Sequence, residues 1–188
     1  LTPQSEGSLS QIVYSTPVQQ FSKLEMGITW IANNARNYLY ITTPYFMPTT
    51  PVLQALQSAA MAGVDVRLLL PEKPDAFWLR YGNEAFFEDV LNAGVRIFLY
   101  PERFMHAKVL VTDDELCSIG SANMDFRSFE NNFEAGALCY DAPLATELRQ
   151  LLVADMTKST EILLSEWHQR PFYHQMMASF TRVLSPLL

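Results

Sequence analysis

Between Tyr38 and Tyr100 the chain alternates two kinds of hydrophobic spacing, and this alternation limits the folds open to it. Tyr38 to Thr42, Val64 to Leu70 and Val95 to Tyr100 are short apolar runs of strand character. The stretches between them are helical. One is capped at Thr50, carries Pro51 in its first turn and stops at Gly63; the other covers Asn83 to Ala93 and stops at Gly94. Val64 to Leu70 is apolar enough for burial on both faces. An earlier helix is expected over Phe21 to Ala35, where Phe21, Leu24, Ile28, Ile31 and Ala32 share a face. A short strand is expected at Gln11 to Tyr14, closed by Pro17. Strand, helix, strand, helix, strand, then a hairpin and a further strand predict an α/β/α sandwich with a mixed β-sheet flanked by helices. Ligands of such sheets bind beyond the carboxyl ends of the strands. Thr43-Pro44-Tyr45-Phe46-Met47-Pro48 and Pro71 to Asp75 are therefore candidate walls of a site, or simply loops stiffened by proline.

The chemistry is concentrated between Met105 and Glu134. His106 and Lys108 stand two apart in a run rich in Val and Leu. On an extended segment residues i and i+2 share a face, so an imidazole and an ammonium project side by side. That pair suits a phosphate: lysine neutralises its oxygens, and histidine attacks or donates a proton. Asp113 falls an odd number of residues beyond Lys108, off that face, and reads as a turn or cap that accepts backbone N–H bonds. Gly120 and Ser121 are small enough for close approach to a ligand. Asn123 can donate an amide N–H to a phosphate oxygen. Glu134 opens the apolar run Glu134 to Tyr140 and needs a partner if buried, for which a histidine ring N–H is a good candidate.

His106, Lys108 and Asp113 match in full the HKD motif of the phospholipase D superfamily, which this stretch resembles. The superfamily's Gly-Ser-x-Asn matches Gly120, Ser121 and Asn123, and its acidic partner matches Glu134, 28 residues beyond His106. Further segments look like bacterial cardiolipin synthases: Thr43-Pro44-Tyr45-Phe46, Gly63-Val64-Asp65-Val66-Arg67, Phe104-Met105-His106-Ala107-Lys108, Asn132-Phe133-Glu134 and the closing Ser185-Pro186-Leu187-Leu188. The similarity corresponds to the carboxyl-terminal half of those enzymes, which holds the second of two HKD motifs. It implies a phospholipase D-like fold and catalytic roles for His106, Lys108, Asp113, Asn123 and Glu134. Gly120, Ser121 and Tyr45 are expected to line the substrate site.

The reaction implied is phosphatidyl transfer between two phosphatidylglycerol molecules, giving cardiolipin and glycerol through a phosphohistidine, without cofactor or metal. Two imidazoles are needed, one to attack phosphorus and one to protonate the departing alkoxide. One such histidine is present, so the second is expected from an amino-terminal half or from a second copy. Whether His106 is nucleophile or acid stays open. So do the alternatives of a single-motif nuclease working as a homodimer, a phosphatidylserine synthase, a hydrolytic phospholipase D, or a non-catalytic docking half.

Composition narrows the partners. A net charge of −7 argues against nucleic acid, whose binders carry a basic face. No apolar run approaches the ~20 residues of a membrane-spanning helix. The start at Leu1 leads us to expect a fragment of a longer protein of the bacterial cytoplasmic membrane. Cys117 and Cys139 read as buried free thiols of a reducing compartment, and no Cys or His spacing suits a metal. Residues 1–10 are expected to be a tail and 11–188 the domain, with 142–188 a helical region. There Asp141 caps a helix carrying Pro143 near its start and Leu144, Leu148, Leu151, Leu152 and Met156 on one face. Helix is expected to continue through Ile162 to Trp167 as far as Pro171. A last helix gathers Phe172, Met176, Met177, Phe180, Val183 and Leu184. That stripe suits a lipid interface or docking on the core or a missing half, and docking is the reading adopted.

Overall fold

The computed structural model describes residues 7–102 and 105–184. The start of the expected tail, Phe104 of the motif segment and the closing Ser185-Pro186-Leu187-Leu188 lie outside them.

Strand β1 (Leu9–Ser15) leads into α1 (Lys23–Asn34), β2 (Tyr38–Thr42), the two-residue β3 (Phe46–Met47) and α2 (Thr50–Met61). Then come β4 (Asp65–Pro71), α3 (Phe77–Glu84), α4 (Phe87–Asn92) and β5 (Arg96–Tyr100). The hairpin β6 (Val109–Thr112) and β7 (Leu116–Gly120) follows, then β8 (Met124–Asp125), a π-helical turn (Arg127–Asn131) and β9 (Glu134–Tyr140). The chain closes with α5 (Ala142–Thr157), β10 (Thr160–Ile162), α6 (Leu164–Trp167) and α7 (Phe172–Leu184).

Eight strands form one mixed sheet in the order β1-β9-β7-β6-β2-β4-β5-β10. β2, β4 and β5 run parallel, joined by crossover helices. The hairpin adds antiparallel to the other side of β2. One face buries Leu39, Ile41, Val66, Leu68 and Ile97 beneath α1, α2 and α4. The other gathers Tyr38, Tyr40, Leu69, Val111, Cys117 and Cys139 under α5, through Ala145, Leu152 and Met156. The layers are those expected, because each strand carries an apolar face and each crossover helix an apolar stripe.

Local signals set the boundaries. Gly63 and Gly94 stop their helices at φ +95° and +97°, where a side chain would be strained. Asp141 caps α5 by accepting the Leu144 N–H. The expected apolar strand of Val64 to Leu70 is less uniform than its composition: Asp65 and Arg67 are half-buried and paired at 2.6 Å, with the Tyr40 hydroxyl donating to Asp65.

Four expectations need correction. β1 opens at Leu9, ahead of Gln11, because its whole length pairs with β9. The single helix over Asn83 to Ala93 is two, broken around Ala85-Phe86. The helix expected from Ile162 starts later, because Thr160–Ile162 pairs as β10 with β5, Arg96 clasping Glu161 at 2.7 Å. Of the α7 stripe, Met176, Met177 and Phe180 do not dock on the core but are exposed, whereas Ala178 and Thr181 are buried; docking on a missing half is left open. The side chains of Phe172, Val183 and Leu184 lie outside the description.

Candidate active site

His106 and Lys108 sit just before β6, not within it. The ladder reaches them through a single bond, Gly120 N–H to the Lys108 carbonyl at 3.2 Å. β6 runs antiparallel to β2, so its entrance lies at the carboxyl ends of β2 and β7. Their side chains do come together. The Lys108 ammonium lies 3.0 Å from both ring nitrogens of His106 and donates to the His106 carbonyl at 2.8 Å. His106 is exposed, while the lysine stem sinks towards a cavity of about 30 Å³ lined by Leu24, Ile28, Leu110 and Met124. Burial pushes the ammonium's pKa down, and Glu134 and Asp125 pull it back up.

Ser121 and Glu134 form a second cluster beside this pair. The Ser121 hydroxyl donates to the Glu134 carboxylate and accepts the Ala135 N–H at 3.0 Å. The Asn132 side chain donates to the other carboxylate oxygen at 3.1 Å. The hydrogen bonds that hold Glu134 thus come from Ser121 and Asn132. Gly120 is small for a reason the motif did not reveal. A Cβ there would stand 2.8 Å from the Ala135 carbonyl oxygen, so the neighbouring strand by itself demands glycine.

Asn123 leads into β8, which pairs parallel with β3. This small ladder ties the Pro44 to Pro48 wall to the motif. Thr43 Oγ1 accepts the Met124 N–H, and Asn83 grips Phe46 N–H and the Pro44 carbonyl. The wall itself is buried except for Tyr45, which is partly exposed and donates to Asp75 at 2.8 Å. Pro71 to Pro74 lines a separate cleft of about 160 Å³ with Arg80 and Asn83.

The structure does not bring Asp113 to the others. It sits in the three-residue β6–β7 turn with Asp114, both at positive φ, the backbone of a tight turn closed by the Glu115 N–H bond to the Thr112 carbonyl at 3.1 Å. Its carboxylate accepts the backbone N–H groups of Arg36, Asn37 and Tyr38 at 2.8–3.1 Å. Five residues of extended chain put it about 17 Å from Lys108. A turn role, legible from its odd offset, is what the fold uses; a catalytic role does not fit that distance.

Two residues with a direct bearing on Asn123 were not singled out from sequence. The buried Asp125 accepts the Ser128 N–H at 2.7 Å, and the Ser128 hydroxyl accepts the Asn123 N–H at 3.0 Å. Asp-x-x-Ser is a capping spacing and was a usable signal.

The arrangement is an open cluster on the carboxyl edge of a mixed sheet: one imidazole, one ammonium and one oriented carboxylate, with the Asn123 amide following on the same segment. Its fold is that of the phospholipase D-like proteins. The phospholipase D family member NUC of Salmonella typhimurium superposes with a TM-score of 0.70 at 16% identity, over 84% of this chain and 99% of that one. Phosphatidylserine synthase of Haemophilus influenzae superposes at 0.72 and 16% identity, over 95% of this chain and 47% of that one. Within that class the chain belongs to the family described as cardiolipin synthase, PLD-like domain, whose model matches residues 28–156. It is 38% identical over 179 residues to a cardiolipin synthase of Clostridium perfringens, covering 95% of this chain and 38% of that protein. The chain therefore spans well under half the length of that relative. No helix among the described residues is long and apolar enough to cross a membrane.

Proposed function

We propose that this chain supplies one half of a phosphatidyl-transfer site that converts two phosphatidylglycerol molecules into cardiolipin and glycerol. The observation that carries the reading is the contact of Lys108 with both ring nitrogens of His106 on an open rim. A phosphodiester seated there would meet a cation for its oxygens and an imidazole for its phosphorus or its leaving group. Glu134, oriented by Ser121 and Asn132, is the carboxylate that would accept a ring N–H from a second histidine. That histidine belongs to a partner half or to a second copy of the chain.

In the first step one imidazole nitrogen bonds to phosphorus and the phosphorus–oxygen bond to glycerol breaks. The glycerol alkoxide leaves with the proton of the other imidazole. In the second step that imidazole takes the hydroxyl proton of another phosphatidylglycerol, whose oxygen displaces histidine. The two rings must hold opposite protonation states at one pH, so their surroundings must differ. Here the lysine beside His106 and the carboxylate of Glu134 provide unlike surroundings. Lys108 and Asn123 stabilise the charge that develops on the non-bridging oxygens. The parent protein is expected at the bacterial cytoplasmic membrane, where its lipid substrate lies.

The test is product analysis. The assembly bearing both histidines is incubated with phosphatidylglycerol vesicles and the lipids are separated by mass. Cardiolipin formation that disappears in His106→Ala supports the reading. Phosphatidic acid as the sole product makes the protein a hydrolase. Cleavage of single-stranded DNA with no lipid turnover overturns the lipid assignment altogether.

A further inference from the structure

Nothing in a glutamate side chain sets the plane of its own carboxylate, because the terminal torsion is broad and roughly two-fold. At Glu134 two donors set it, one on each oxygen: the Ser121 hydroxyl on Oε2 and the Asn132 amide on Oε1 at 3.1 Å. The two are not equal. The Ser121 hydroxyl has one proton and two acceptors in reach, the Glu134 carboxylate and the Ala135 carbonyl at 3.3 Å. The Asn132 amide nitrogen carries two hydrogens, and a carboxylate only accepts. When the Ser121 proton turns to Ala135, the Asn132 bond to Glu134 remains.

Asn132 owes its place to a buried turn. It closes the π-helical turn Arg127–Asn131, whose Ser128 and Phe129 are buried. The Ser128 N–H bonds to Asp125 at 2.7 Å and ties the head of that turn to β8. At Asn132 the backbone is already extended, with φ −107° and ψ 158°. Residues i and i+2 of an extended segment share a face, so Asn132 and Glu134 project together while Phe133 between them is exposed. The contact is thus made within this chain, before a second half or a second copy brings its histidine.

We infer that Asn132 is a positioning residue of the phosphodiester site: it fixes the carboxylate plane of Glu134, and with it the direction from which the second imidazole presents its ring N–H. The inference rests on the phosphodiester reading of the site, and it holds whichever histidine is the nucleophile. Replacing Asn132 by Ala removes the donor and leaves every charge of the site in place. Glu134 is then held only by a hydroxyl whose proton is shared with Ala135. The carboxylate turns, and the second ring loses both its orientation and the charge beside it.

The experiment compares the kcat–pH profiles of wild type and Asn132→Ala in the assembly that carries both histidines. A misplacement of about 1 Å typically costs about 10²-fold in rate. Asn132→Ala should therefore lower kcat by at least about tenfold, KM staying within about threefold. A carboxylate beside an imidazole favours its charged form, so a ring that has lost it titrates lower. The limb of the profile which that ring governs should move to lower pH by about half a unit or more, whether the ring serves as acid or as nucleophile. A merely structural Asn132 would lower kcat equally at every pH; an unmoved profile, or wild-type kcat, overturns the inference. Should Asn132→Ala not fold, Asn132→Leu keeps the outline without donor or charge and is read the same way. Failure of both to fold makes Asn132 structural and refutes the inference. The profiles are taken on phosphatidylglycerol and on bis(p-nitrophenyl) phosphate. A wild type active only on the second sinks the lipid reading and leaves its profile to decide on Asn132. A wild type inert on both refutes the phosphodiester reading and this inference with it.

Discussion

Replacing Lys108 by Met separates catalysis from stability at the centre of the site. Methionine matches the lysine stem and can occupy the apolar space beside Leu24, Ile28 and Leu110. What disappears is the ammonium 3.0 Å from both His106 ring nitrogens and its bond to the His106 carbonyl. Losing that bond should cost about 1 kcal/mol net. Burial already holds the ammonium's pKa down, so the fold disfavours the charge, and its removal works in the opposite direction. The two effects offset, and stability should stay within about 1 kcal/mol, a shift of roughly 2–4 °C in Tm at this size. The chemical step has no such offset. A donor to the developing oxyanion contributes about 2.7–4 kcal/mol, so kcat should fall at least 10²–10³-fold. Cardiolipin formation from phosphatidylglycerol vesicles, measured beside thermal unfolding, checks both halves. Wild-type turnover would mean that the phosphate sits elsewhere. A dead protein that has also lost many degrees of Tm would refute the claim that the two effects balance.

Asp113→Asn should lose about 1–2 kcal/mol of stability in urea titration, because one amide oxygen replaces a carboxylate shared by three N–H groups; kcat per folded molecule should not change, and a folded but inactive variant would restore a catalytic role. The same residue should leave a mark on pH dependence. Burial raises its pKa, but the N–H groups of Asn37, Arg36 and Tyr38 outweigh it and hold the carboxyl below its ordinary value. Its stabilisation is then complete above the unfolded pKa of about 3.9 and lost as pH falls through the lower folded value, so Asp113→Asn should flatten the stability curve below about pH 4. Gly120→Ala should cost about 1–3 kcal/mol, since its Cβ would meet the Ala135 carbonyl oxygen at 2.8 Å; an unchanged unfolding midpoint would show that the two strands have slack.

The parallel strands β2, β4 and β5, the glycine helix stops and the Asp141 cap were legible because they depend on residues adjacent in the chain. The pairing of His106 with Lys108 was legible for the same reason, two side chains on one extended face. β10 was not: three residues of mixed character become a strand only because the edge of β5 and the Arg96 guanidinium are there to receive them. The helical spacing of α7 could not say which of its faces would be covered, since that depends on α3, nearly a hundred residues earlier.

Sequence alone thus determined the class of fold, the adjacency of His106 and Lys108 and the turn in which Asp113 sits. Tertiary structure decided the rest of the site. Only the β3–β8 ladder brings the Tyr45 loop against the motif. Only the packing of β7 on β9 shows what a side chain at Gly120 would meet, and only the folded chain shows that Asp125 is buried and holds the Ser128 N–H. Short-range spacing fixes what a residue can do, but which groups are kept from water, and so forced to find partners, depends on segments distant along the chain.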